Sequence, residues 1–105
     1  NMDASTQLQE TVQELQLIAQ QAGSISNQIR EMENTLILLG THQDGNSLFK
    51  QSGGILVQID DKVALVEELK EELEKFQSHV QHLVEREIEL RDLYETLVKK
   101  LEVSK

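Results

Sequence analysis

Apolar residues recur at a seven-residue spacing along two long stretches of this sequence, with a short glycine-centred segment between them. With Leu8 as position a, the a series reads Leu8, Leu15, Ala22, Ile29, Leu36 and the d series Thr11, Ile18, Ile25, Met32, Leu39. In the second stretch the a series is Val66, Leu73, Val80, Glu87, Tyr94, Leu101 and the d series Leu69, Phe76, Leu83, Leu90, Leu97. Thr11 and Glu87 are the departures. A 3.5-residue repeat holds one narrow seam against a partner helix, so this pattern specifies a left-handed coiled coil. Neither helix is expected to be stable alone.

In an antiparallel pair, a positions of one helix share layers with d positions of the other, and paired residue numbers have a constant sum. Leu36 with Leu69, Ile29 with Phe76, Ile25 with Val80 and Leu8 with Leu97 share one value. Its midpoint lies between Ser52 and Gly53, at the glycine turn read independently from local sequence. The expected fold is therefore mainly α: a long antiparallel helical hairpin, a coiled coil, with one β-hairpin at the bend. It forms a single domain, with the first helix over 3–40, the β-hairpin over 47–59 and the second helix over 61–104.

Local signals agree. Asp3 or Ser5 can cap the first helix, Gly40 suits a left-handed stop, and Asp60 or Asp61 can cap the second. At 1.5 Å per residue the arms are roughly 55 and 65 Å long. Proline is absent, so nothing interrupts either helix. Asp44-Gly45-Asn46 reads as a tight turn. Residues 47–51 and 55–59 are β-prone runs around Ser52-Gly53-Gly54, whose glycines permit the positive φ of a primed turn. Alternation sets Leu48, Ile55, Val57 and Ile59 on one face and Phe49 and Leu56 on the other.

Both faces of this hairpin are thus apolar, and a lone two-stranded hairpin is marginal in water with two unpaired edges. Two arrangements would cover it. It can fold down onto the end of its own coiled coil, or hairpins from several chains can join in a shared sheet or barrel. The second would also pair the edges, and the apolar residues that either arrangement has to cover are Leu48, Phe49, Ile55, Leu56, Val57 and Ile59.

Composition excludes several function classes. The net charge of −9 is spread as −4 on residues 1–40, −1 on 41–60 and −4 on 61–105. Such a surface repels phosphate, so no nucleic-acid partner is expected. No apolar run approaches the roughly 18 residues that span a bilayer, and no basic region followed by an apolar stretch opens the sequence, so no membrane association is expected and the reading is a cytoplasmic chain. Cysteine is absent, which removes disulfides and thiolate metal sites. His79, His82 and Glu85 share a helix face, yet a solvated face without supporting groups makes a weak site, so no metal or cofactor is expected. His42 stands alone in the linker. Two paired helices enclose no pocket in which Ser and His could act as nucleophile and base, so the chain is not expected to be an enzyme.

Seam quality is expected to fall away from the bend. Large residues fill the layers around Ile29 to Leu39, whereas Ala22, Gly23, Thr11 and Glu87 lie farther out. Glu87 has its expected partner in Arg91, one turn on. The free ends carry Met2, Ala4 and Leu8 on one arm and Leu97, Leu101 and Val103 on the other. A loose end of this kind could hold partly unfolded chains without selecting a sequence. Lys99, Lys100 and Lys105 form the cationic cluster of an acidic molecule. They suit a helix C-terminus and could also dock an acidic partner.

The segment from Leu48 to Val57, between heptad helices of this length, resembles the β-type subunit of prefoldin, the GimC chaperone. In that family an aromatic followed by Lys, then a Gly and an aliphatic strand, marks the hairpin, matched here by Phe49, Lys50, Gly53 and Ile55 to Val57. Val63 to Gln77, with Glu67-Glu68-Leu69 and Glu72-Leu73-Glu74, resembles the start of its second helix. A single β-hairpin points to the β type, because the α type carries two. The resemblance implies a hexamer of α-type and β-type subunits that pool their hairpins in a β-barrel body. It further implies an ATP-independent holdase whose coiled-coil tips capture unfolded or nascent polypeptides and deliver them to a group II chaperonin. On that footing the six hairpin residues serve assembly, the six apolar tip residues bind clients, and Lys99, Lys100 and Lys105 dock the chaperonin. The family's tail beyond the second helix has no counterpart after Lys105. The competing expectation is a structural coiled-coil adaptor, oligomerised through its β-hairpin and bound to one defined folded partner.

Overall fold

The computed structural model describes residues 3–103. It contains α1 (Ala4–Thr41), β1 (Phe49–Ser52), β2 (Ile55–Gln58) and α2 (Lys62–Val103). Two long helices with one antiparallel β-hairpin between them are the architecture that the heptads and the glycine turn predict.

Each helix begins at an aspartate. The Thr6 amide donates to Asp3 Oδ1 at 2.7 Å and the Ala64 amide to Asp61 Oδ1 at 3.0 Å, satisfying amides that the first turn leaves without intrahelical partners. Gly40 does not end α1 in a left-handed conformation as expected. The helix continues through it to Thr41, whose Oγ1 donates back to the Leu38 carbonyl at 3.0 Å. The left-handed residue comes later, at Gly45, with φ of 93°. There the Asn46 amide closes a turn onto the Gln43 carbonyl at 3.2 Å, and positive φ at the third residue is the type II pattern.

The strands pair Phe49 with Gln58, Lys50 with Val57, Gln51 with Leu56 and Ser52 with Ile55. The turn is therefore Gly53-Gly54, one position beyond the midpoint inferred from the seam. Gly53 has φ of 60° and Gly54 is not positive, the type II′ arrangement, in which glycine serves the first central position.

The contacts divide the chain into two compact units, one of Gln28–Gln77 and one of Asn1–Asn27 with Ser78–Lys105. The burial pattern in both follows the heptads. Every a and d residue of α1 is buried or half-buried, and on α2 Tyr94 alone among them is exposed. The expected gradient in seam quality is reversed, however. Thr11, Ile18, Leu90 and Leu97 are buried in the second unit, against Leu39 in the first. In the second unit Arg86 Nε lies 3.0 Å from Glu14 Oε1 on the other helix. In the first, Leu38, Leu39, Leu65 and Leu69 line an open groove. Thr11, the polar d residue, is satisfied by donating Oγ1 to the Gln7 carbonyl at 2.7 Å.

Candidate functional site

The hairpin is exposed over its whole length, every residue of both strands being solvent-accessible. The register confirms the expected faces. Phe49, Gln51, Leu56 and Gln58 lie on one, and Lys50, Ser52, Ile55 and Val57 on the other, with Leu48 and Ile59 continuing the second. Phe49 remains 53% exposed, Leu56 66% and Ile55 67%, so the chain's own helices do not cover either face. Leu48 and Ile59 are half-buried where the strands meet the linkers, held by the Ile59 amide donating to the Leu48 carbonyl at 2.8 Å.

The apolar surface extends beyond the hairpin. Ile37, Leu38 and Val63 in the same unit are exposed, none of them a seam residue. Heptad spacing alone does not single them out; the signal for the first two is the run Leu36-Ile37-Leu38-Leu39, four consecutive apolar residues where a seam needs two. Monomeric proteins rarely leave large residues contiguous on the surface unless something binds there. Polar contacts fix the linkers beneath. Lys62 Nζ donates to the His42 carbonyl at 2.8 Å and lies 3.8 Å from an Asp44 carboxylate oxygen.

At the free helix ends the predicted residues are not equivalent. Val103 is 85% exposed, Ala4, Leu8 and Leu101 are half-buried, and Leu97 is 1% exposed within the seam. Leu97 is thus out of reach unless the helices part. Met2 and Lys105 lie outside the described residues. Ala4, Thr96, Lys99, Lys100 and Val103 line a shallow depression in which the exposed lysines flank the apolar pair. Exposed apolar side chains also occur on α2 at Val84 and Ile88 to one side of the seam and at Leu93 and Tyr94 to the other.

Electrostatics in this second unit are those of a solvated shaft. The guanidinium of Arg86 donates to Glu14 at 3.0 and 3.2 Å and to Glu89 at 3.0 Å, and the bond to Glu14 first, then Glu89, raises its pKa further. Glu87 meets Arg91 at 3.2 Å, as the spacing predicts. Glu85 accepts from Gln81 at 3.3 Å, and among the described residues no three His, Cys, Asp or Glu side chains gather as a metal site. Among them, too, no helix is long and apolar enough to cross a membrane.

Comparison with known proteins agrees with this geometry. Residues 3–103 match the family model described as prefoldin subunit. The chain is 31% identical over 91 residues to prefoldin subunit beta of Thermoplasma volcanium, covering 87% of this chain and 73% of the relative. It is 29% identical over 98 residues to prefoldin subunit beta of Thermococcus onnurineus, covering 93% and 84%. The crystal structure of the prefoldin beta subunit from Thermococcus strain KS-1 superposes with a TM-score of 0.83 at 25% identity, covering 96% of this chain and 88% of that one. An exposed two-faced hairpin between heptad helices, and a family match over nearly the whole length, lead to one conclusion: this chain belongs to the prefoldin family.

Proposed function

We propose that this chain is a subunit of an ATP-independent hexameric holdase that captures unfolded or nascent polypeptides at its coiled-coil tips and hands them to a group II chaperonin in the cytoplasm. Membership of a chaperone family whose chains assemble with other prefoldin subunits supports this reading. The observation that carries it is the hairpin, whose exposed apolar faces and open edges require neighbouring chains. Leu48, Phe49, Ile55, Leu56, Val57 and Ile59 serve assembly with α-type and β-type partners. Ala4, Leu8, Leu101 and Val103 offer clients an apolar grip that Leu97 joins when the tip opens and that Met2 extends. Lys99 and Lys100, with Lys105, dock the acidic face of a chaperonin. No nucleotide, metal or catalytic step enters.

The tight burial of Leu97 favours a second reading, a rigid adaptor that binds one folded partner through its arms. Aggregation of a chemically denatured protein separates the two. The complex assembled with an α-type subunit suppresses aggregation at stoichiometric amounts if it is a holdase. An assembled complex that gives no protection makes it an adaptor.

A further inference from the structure

The proposed capture of clients needs the helix ends to part, yet Thr11, Ile18, Leu90 and Leu97 are all buried between them. Two seam positions of this unit are polar, Thr11 at d and Glu87 at a, so the layers there offer less apolar contact than a full set of leucines would give. Beside these positions Arg86 reaches the other helix. Its Nε and one terminal nitrogen donate to the two carboxylate oxygens of Glu14 at 3.0 and 3.2 Å, the forked pairing that fits a guanidinium to a carboxylate in one orientation. The other terminal nitrogen donates to Glu89 at 3.0 Å on its own helix, so the guanidinium is anchored from both sides.

Glu14 and Arg86 are both g positions of their heptads, the places that flank a seam and whose charges set how two helices pair. Thr11 and Leu90 line the same shallow depression as the pair, and Glu10 lies there too. Both charged side chains are half-exposed, so dissolved salt reaches them.

We infer that Arg86 and Glu14 form a clasp that holds the tip seam shut over Thr11 and Leu90, and that parting this clasp is the step that makes buried seam residues available to clients. The inference rests on the reading of the tips as the client grip and names what regulates it. An exposed ion pair contributes little to folding, which suits a clasp: a weak tie shifts the fraction of open tips a few-fold without deciding whether the helices form. The two partners are not equivalent. Loss of the Arg86 charge leaves the carboxylates of Glu14 and Glu89, which it bridges, with no cation between them, and Glu10 one turn from Glu14 adds a third negative charge. Loss of the Glu14 charge leaves Arg86 bonded to Glu89.

The sequence has no cysteine, so a thiol introduced at Thr11, which is 4% exposed, reports on the seam alone. In Thr11→Cys, as the full chain and assembled with a cysteine-free α-type subunit, the rate of labelling by an uncharged thiol reagent measures how often the tip opens, each rate being taken relative to the same chain in urea. Adding Arg86→Gln should raise labelling about fivefold and adding Glu14→Gln about twofold. Salt at about 1 M should speed labelling where the clasp is intact and slow it in the Arg86→Gln background, where the remaining carboxylates repel one another. The Arg86→Gln complex should also protect a denatured protein from aggregation at lower concentration than the wild type does. Labelling that Arg86→Gln leaves unchanged, or raises only as far as a fall in its urea midpoint accounts for, overturns the clasp. Faster labelling with no gain in protection overturns its link to capture. A wild-type complex that gives no protection overturns the client reading, while the labelling rates still decide the clasp.

Discussion

Around Thr11, Ile18, Leu90 and Leu97 the paired helices close their seam almost completely, whereas in the hairpin-bearing unit Leu39 is alone in being so closed and Ile37, Leu38, Val63 and both strands face water. The two units share one composition of Leu, Ile and Val on a polar ground and differ in what covers it. Where the facing helix supplies the cover, the seam is finished within the chain. The strands of the hairpin have no such cover within the chain. Apolar content therefore does not distinguish a core from an interface; the availability of a second face within the same chain does.

The largest test of this contrast is to damage each unit in turn. Leu90→Ala opens a cavity in the closed seam and should lower stability by about 2–5 kcal/mol, read as a fall in the urea midpoint of the helical circular-dichroism signal. Leu56→Asp, at an exposed position, should leave that midpoint within about 0.5 kcal/mol yet abolish assembly in a mass measurement. If L56D unfolded the single chain as L90A does, the hairpin would belong to the chain's own core.

A smaller effect sharpens the hairpin's side of the comparison. Gly53 holds φ of 60°, so Gly53→Ala should cost about 1 kcal/mol through backbone conformation alone, since an added Cβ meets nothing within 4 Å. Gly54 has equal space and no positive φ, so Gly54→Ala should be close to neutral. The difference is read as weakened association in G53A with unchanged helix content.

The smallest effect concerns the other unit's first turn. The Thr6 amide holds the Asp3 carboxyl below its ordinary range. A lowered folded-state pKa contributes stability above the unfolded value, about 3.9, that is lost as pH falls through the folded one. Protection of the amides of residues 4–8, taken relative to the intrinsic exchange rate at each pH, should therefore fall below about pH 4. In Asp3→Ala it should already be low at neutral pH and show no such transition.

Most of the fold was legible in the sequence because its determinants are periodic or local. Heptads of Leu and Ile fix which helix faces meet, aspartates fix where helices begin, and Gly53-Gly54 fixes a two-residue turn; each acts within a few residues of itself. Alternation likewise placed Phe49 and Leu56 opposite Ile55 and Val57. The misreadings have the same origin. Gly40 permits a left-handed stop without requiring one, and a seam-based midpoint ignores how many residues each linker spends before its strand.

The residues alone settled that this chain has a helical seam and a β-hairpin with apolar side chains on both of its faces. Tertiary structure decided which apolar side chains were already used. Leu97, by sequence a tip residue open to clients, is closed into the seam, and Leu38 and His42, by sequence a helix flank and a linker, line one groove. Burial is a property of pairs of surfaces, and a sequence specifies one surface of each pair far more directly than it specifies which other surface arrives to meet it.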